Sequence, residues 1–187
     1  MSVRPLDGRH RTIVRLGHPA LRQVAEAVAA DRFGTRFLRD LERDLLRTMF
    51  EDSGVGLAAP QIAAGVRVFA YFIPGEGDAD EVPPRVLVNP TLTLLGEPTE
   101  LGWEGCLSVP GLRGLVPRHP AVKVAASDSD GKPLLFEASG FHARVLQHEY
   151  DHLDGVIFLD RMPGMASLMF EEEWDRYAAD RELPVEV

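Results

Sequence analysis

Between residues 31 and 52 the apolar positions fall at Phe33, Phe37, Leu38, Leu41, Leu45 and Met49, with charged residues between them. Steps of three and four line these side chains along one stripe, so the spacing predicts an amphipathic helix packed on one side. The small-residue stretch SGVGLAAPQ (53–61) then ends it. Runs of β-branched, aromatic and other apolar residues follow: VRVFAYFI at 66–73, RVLVN at 85–89 and TLTLL at 91–95. These predict strands, with the acidic PGEGDADEVPP between the first two as a flexible loop. AVKVAAS and PLLFEAS flank DSDGK, which predicts a hairpin around an Asp-Gly turn. Helical spacing returns over 140–153. A last helix is expected over about 165–179, before the terminal ELPVEV. No repeat or low-complexity tract interrupts this order. The pattern predicts an α+β fold, a single domain over 1–187 with antiparallel strands around a central helix. Residues 165–187 form its C-terminal helix and tail.

Composition alters that picture in three places. Lys and Arg number 20 against 29 for Asp and Glu, a formal charge of −9, so no direct nucleic-acid binding is expected. The one cysteine, Cys106, excludes an internal disulfide and leaves a thiol free for chemistry in a reducing compartment. No apolar run reaches membrane-spanning length, and MSVRPLDGRHRTIVRLGHP lacks the apolar core of a signal peptide. The expectation is a cytoplasmic protein without a membrane partner.

The second predicted helix carries His148-Glu149-Tyr150-Asp151-His152. Spacing of four puts both imidazoles on one helical face, one turn apart, where two nitrogens can reach one cation. Glu149 is held beside them to handle a proton. Phe141 and Val145 share that face and add an apolar wall.

Two histidines make half a site, and three completions can be weighed. One group of zinc peptidases places a third histidine six residues after the second; here that position is Phe158, so this reading fails. Another uses a glutamate about twenty residues downstream, where Glu171 and Glu172 stand, although EEE also reads as a solvated acidic face. The third candidate is Cys106 in GWEGCLSVPG, a Gly- and Pro-bounded segment rather than a plain apolar run. A thiolate with two neutral imidazoles is a catalytic ligand set that leaves a position open for water.

Three motifs together resemble the peptide deformylase family. They are Gly54-Val55-Gly56-Leu57-Ala58-Ala59-Pro60-Gln61, then Glu104-Gly105-Cys106-Leu107-Ser108, then Gln147-His148-Glu149-Tyr150-Asp151-His152-Leu153-Asp154-Gly155. All fixed positions of the family patterns are met, in order. The likeness runs from about Gly17 through LVPR (115–118) to about Asp160. The resemblance implies a metal-dependent hydrolase that removes the formyl group from N-formylmethionyl nascent polypeptides. It implies Cys106, His148 and His152 as metal ligands and Glu149 as general acid and base. It makes Gln61 and the backbone N–H of Leu107 the oxyanion donors. Fe(II) is the metal it implies, with Zn(II), Ni(II) or Co(II) able to occupy the same site.

A substrate read along its backbone needs close approach, which Gly54, Gly56, Ala58 and Ala59 permit. Val55, Gly56 and Gly105 are the candidates to offer it backbone groups, and Phe141 and Val145 to line a methionine pocket. Arg144 either covers that pocket with its stem or stands as a solvated charge; Asp151 and Asp154 orient ligands or serve as caps. Some bacterial members of the family this chain resembles carry a basic C-terminal helix suited to docking on ribosomal RNA. Residues 165–187 here carry seven acidic side chains against Arg176 and Arg181, which disfavours docking by this tail. Leu168, Met169, Trp174 and Tyr177 are expected to pack it onto the domain. Two rivals stand beside the deformylase reading: a zinc endopeptidase using Glu172, and a module that binds formylated N-termini without catalysis, for which Glu149 would have no use.

Overall fold

The computed structural model describes residues 7–75 and 81–178. The middle of the acidic loop and the ELPVEV end lie outside them. Strands β1 (Gly56–Ala58), β2 (Val68–Ile73), β3 (Val82–Leu95), β6 (Ala121–Ser127) and β7 (Pro133–Ser139) form a five-stranded antiparallel sheet in that order. A second antiparallel sheet has the order β4 (Glu100–Cys106), β5 (Val109–Arg118), β8 (Met169–Phe170). The helices are α1 (Arg36–Glu51), α2 (Gly140–Leu153), α3 (Phe158–Arg161) and α4 (Glu171–Tyr177).

Alternation along β2 explains where α1 and α2 lie. Val68 and Ala70 share a core with Leu38, Leu41, Leu45 and Met49 of α1. Phe69 and Tyr71 share another with Ala143, Val145 and Leu146 of α2. The sheet is therefore buried on both faces, which is why 66–73 reads as one apolar run rather than as alternation. On its other side α2 meets the second sheet through Arg144, His148 and Asp151. The antiparallel α+β architecture around a central helix is as expected, and so is the hairpin of β6 and β7, whose turn Asp128 closes by accepting the Lys132 N–H at 2.8 Å.

Five local expectations are corrected. The first helix begins at Arg36, because residues 30–32 form a separate 3₁₀ turn and Gly34 takes a positive φ of 67°. Phe37 falls off the buried stripe, 46% exposed, with the Arg32 guanidinium over its ring. The runs 85–89 and 91–95 are one strand, with a register shift between Val88 and Thr91. At the shift Asn89 adopts φ 50° and its side chain bonds the backbone N–H and carbonyl of Val28. The tail is not helical from Met165: a 3₁₀ turn and β8 precede α4. There the backbone pairs across to β5 (Leu112 with Phe170, Arg113 with Met169), and Ser167 Oγ accepts the Leu115 N–H. Trp174 packs against Trp103 as expected, but Tyr177 stays 59% exposed.

Candidate active site

Cys106 ends β4, and the two-residue turn Leu107-Ser108 returns the chain into β5. Glu104 and Cys106 of β4 meet α2, the helix that carries His148, Glu149 and His152. Cys106 Sγ lies 3.3 Å from His152 Nε2, and one donor atom from each of Cys106, His148 and His152 lies within 4.8 Å of the others.

Of the three donors, His148 is oriented by a neighbouring carboxylate. His148 Nδ1 lies 2.9 Å from Glu104 Oε2. An ionised carboxylate only accepts, so Nδ1 carries the proton and Nε2 keeps its lone pair for a cation. Burial opposes Glu104's charge, but His148 and Arg118 outweigh it and hold the carboxyl well below its ordinary range. Burial likewise opposes a Cys106 thiolate, but His152 and His148 outweigh it and pull the thiol well below its ordinary value. Burial works against charge on His148 too, yet Cys106 and Glu104 raise its proton affinity well above normal. One soft thiolate and two imidazoles, brought within 4.8 Å of one another, form a donor set that fits a divalent metal of the zinc or iron kind.

Glu149 is buried beside the cluster, and burial pushes its carboxyl up to about 7 against the pull of the two histidines. Among the described residues its Oε2 and His152 Nδ1 have no hydrogen-bond partner. Gly56 makes room for it, since a Cβ there would fall 2.2 Å from Glu149 Oε1. Gln61 Oε1 accepts the Ala58 N–H at 2.8 Å, which turns Nε2 toward Cys106 Sγ (3.5 Å) and Ser108 Oγ (3.1 Å). A cleft of about 800 Å³ opens over these groups. Val55, Gly56, Gly105, Leu107, Phe141 and Val145 all line it, together with Gln61, Cys106, His148 and Glu149.

Other expectations are revised. Glu172 does not enter the metal cluster; its neighbour Glu171 sits at the cleft on Arg113 at 2.6 Å. Phe158, standing where some peptidases carry their third histidine, stacks on the His148 ring at 6.4 Å. Arg144 lines the cleft rather than standing as a solvated charge, and it donates to Glu104 Oε1 (2.9 Å) and to the carbonyls of Val116 (2.8 Å) and Glu100 (2.5 Å). Asp151 touches no ligand and binds Arg118 and Arg161, while Asp154 pairs with Arg67. Sequence reasoning gave no role to Glu104 or Arg118, whose paired charges join His148 to Asp151. The spacing of two between Glu104 and Cys106 is a signal only once the segment is known to be a strand.

The antiparallel sheets, the ligand-bearing central helix and the thiolate–bis-imidazole cluster define the class of metal-dependent hydrolases acting on amide bonds. Residues 10–167 match the model of the family described as polypeptide deformylase. Peptide deformylase 1 of Nitrosomonas europaea is 44% identical over 151 residues, covering 79% of this chain and 85% of its own. Peptide deformylase 2 of Pseudomonas syringae pv. tomato is 42% identical over 163 residues, covering 86% and 91%. Among solved structures, the Met-Ala-Ser-bound class I type b peptide deformylase of Acinetobacter baumannii superposes with TM-score 0.78 at 36% identity, covering 83% of this chain and 99% of its own. The peptide deformylase of Thermotoga maritima gives 0.74 at 33% identity, covering 83% and 99%. The chain belongs to the peptide deformylase family.

Proposed function

We propose that the chain hydrolyses the formamide at the N-terminus of formylmethionyl polypeptides, releasing formate and a free amino terminus. The observation that carries this is Cys106 joined to His148 and His152 in one cluster, with buried Glu149 alongside. Cys106, His148 and His152 hold the metal, which we assign as Fe(II) from the family resemblance. Bound there, a divalent cation supplies Lewis acidity, the chemistry that brings water's pKa down to roughly 7 and polarises a carbonyl.

The chain's own residues do the rest. Glu149, raised toward neutrality, takes a proton from the attacking water and delivers it to the departing amine nitrogen, so that no amide anion is expelled. Gln61 Nε2, fixed by the Ala58 bond on the opposite end of its amide, donates to the oxyanion with the Leu107 N–H. β1 stands at the end of the sheet order, and an extended peptide can add along it, with Val55, Gly56 and Gly105 as backbone partners. Phe141 and Val145 receive the methionine side chain. The substrate is a nascent polypeptide and the setting cytoplasmic; among the described residues no helix is long and apolar enough to cross a membrane.

Formate release from a formyl-Met peptide tests the reading. The metal-loaded protein should release formate, and Glu149→Gln should bind metal normally yet lose turnover by at least a hundredfold, the scale of general acid–base catalysis. Unchanged turnover in Glu149→Gln sinks the proposal.

A further inference from the structure

The tail contributes to the cleft. β8 extends the second sheet along β5, and this delivers Glu171 to the cleft wall, where it lines the same space as Glu149 and Cys106. Opposite it stands Arg113 of β5, which pairs in register with Gly105, one residue before the thiol. A Cβ on Gly105 would lie 3.6 Å from Arg113 Cγ, so the arginine's stem runs beside the backbone that the substrate has to approach. Its guanidinium gives two hydrogen bonds, Nε at 3.0 Å and Nη2 at 2.6 Å, both to Glu171 Oε1. It also lies over the Trp174 ring at 4.4 Å, so a second tail residue fixes its direction. Glu171 Oε2 makes no hydrogen bond among the described residues, and the Glu171 side chain is 48% exposed.

From this arrangement we infer that Glu171 is a specificity-determining residue that masks Arg113. The tail carboxylate neutralises the guanidinium that β5 brings to the cleft and keeps its own second oxygen unbonded, which disfavours acidic side chains in the residues following the formylmethionine. Without the mask, Arg113 would present its cation to those side chains and attract them. The inference deepens the formyl-peptide reading and rests on it.

The test compares formyl-Met peptides that differ only by Gln or Glu at one of the three positions after methionine, at low salt. The quantity read is the ratio of kcat/KM for the Glu peptide to that for the Gln peptide, which is independent of the active fraction of the preparation. In the wild-type chain the ratio should lie below one. Glu171→Gln should raise it about threefold at one or more positions, the scale of a single screened surface ion pair, and 1 M salt should erase the gain. Arg113→Gln should lower it, and provides the same test if the first variant fails to fold. A ratio unmoved by either substitution at all three positions overturns the mask while formate release from the Gln peptide upholds the deformylase reading. Absence of formate from every peptide with the metal-loaded wild-type chain overturns both.

Discussion

Gln61 is held at three points: its carbonyl accepts the Val14 N–H, its Oε1 accepts the Ala58 N–H, and its Nε2 reaches Ser108 Oγ. Such a side chain does not search for its geometry during turnover. Gln61→Ala should therefore lower kcat by about a hundredfold or more, near 3 kcal/mol of barrier, while the thermal midpoint moves much less. Gly56 tests the neighbouring constraint. A methyl group there collides with the carboxyl of Glu149, so Gly56→Ala should cost activity even though β1 accepts alanine as backbone; kcat measured against metal content separates this from lost metal. At this scale the ligands, Glu149 and Gln61 were legible because motif and spacing carry them. Glu104 was not, because its partners Arg118 and Arg144 come from β5 and α2, and no local pattern announces a pairing 14 or 40 residues away.

The element that organises the site is α2, and what fixes it against β4 and β5 is buried charge. Arg118, 5% exposed, bridges Glu104 and Asp151, and Arg161 takes the far oxygen of Asp151. Burial alone would suppress the Arg118 charge, but Glu104 and Asp151 more than restore it. Arg118→Met leaves two buried carboxylates short of a partner, so it should destabilise the fold by about 3–5 kcal/mol in denaturant titration. Metal affinity should fall as well, because Glu104 then loses part of what aims it at His148. Helix α2 was readable over its whole length, since one face repeats at helical spacing. The β4–β5 hairpin was not read as sheet, because Pro110, Pro117 and four glycines dominate its sequence and its pairing comes from partner strands rather than propensity. The tail failed for a related reason: Ser167, Met169 and Phe170 spend their polar groups or their backbone on β5 before the helix begins.

For the molecule as a whole, the two cores on either side of the five-stranded sheet contain no ligand residue. The fold should therefore outlast its metal. Chelation should abolish formate release and lower the melting temperature, with far-ultraviolet circular dichroism unchanged at ambient temperature. Metal at a thousandfold excess over its Kd contributes about 4 kcal/mol, so the shift should scale with the logarithm of free metal.

Cys106 and His152 are 46 residues apart in the chain yet 3.3 Å apart in space. Between them run β5, β6, β7 and most of α2, all of which must dock before thiolate and imidazole meet. Loop closure of that length is an entropic debt settled by the sheet and helix. In an incompletely folded chain, helical structure alone holds only His148 and His152 near each other. Metal occupancy thus marks finished molecules, and an active population is one that has already passed its own inspection.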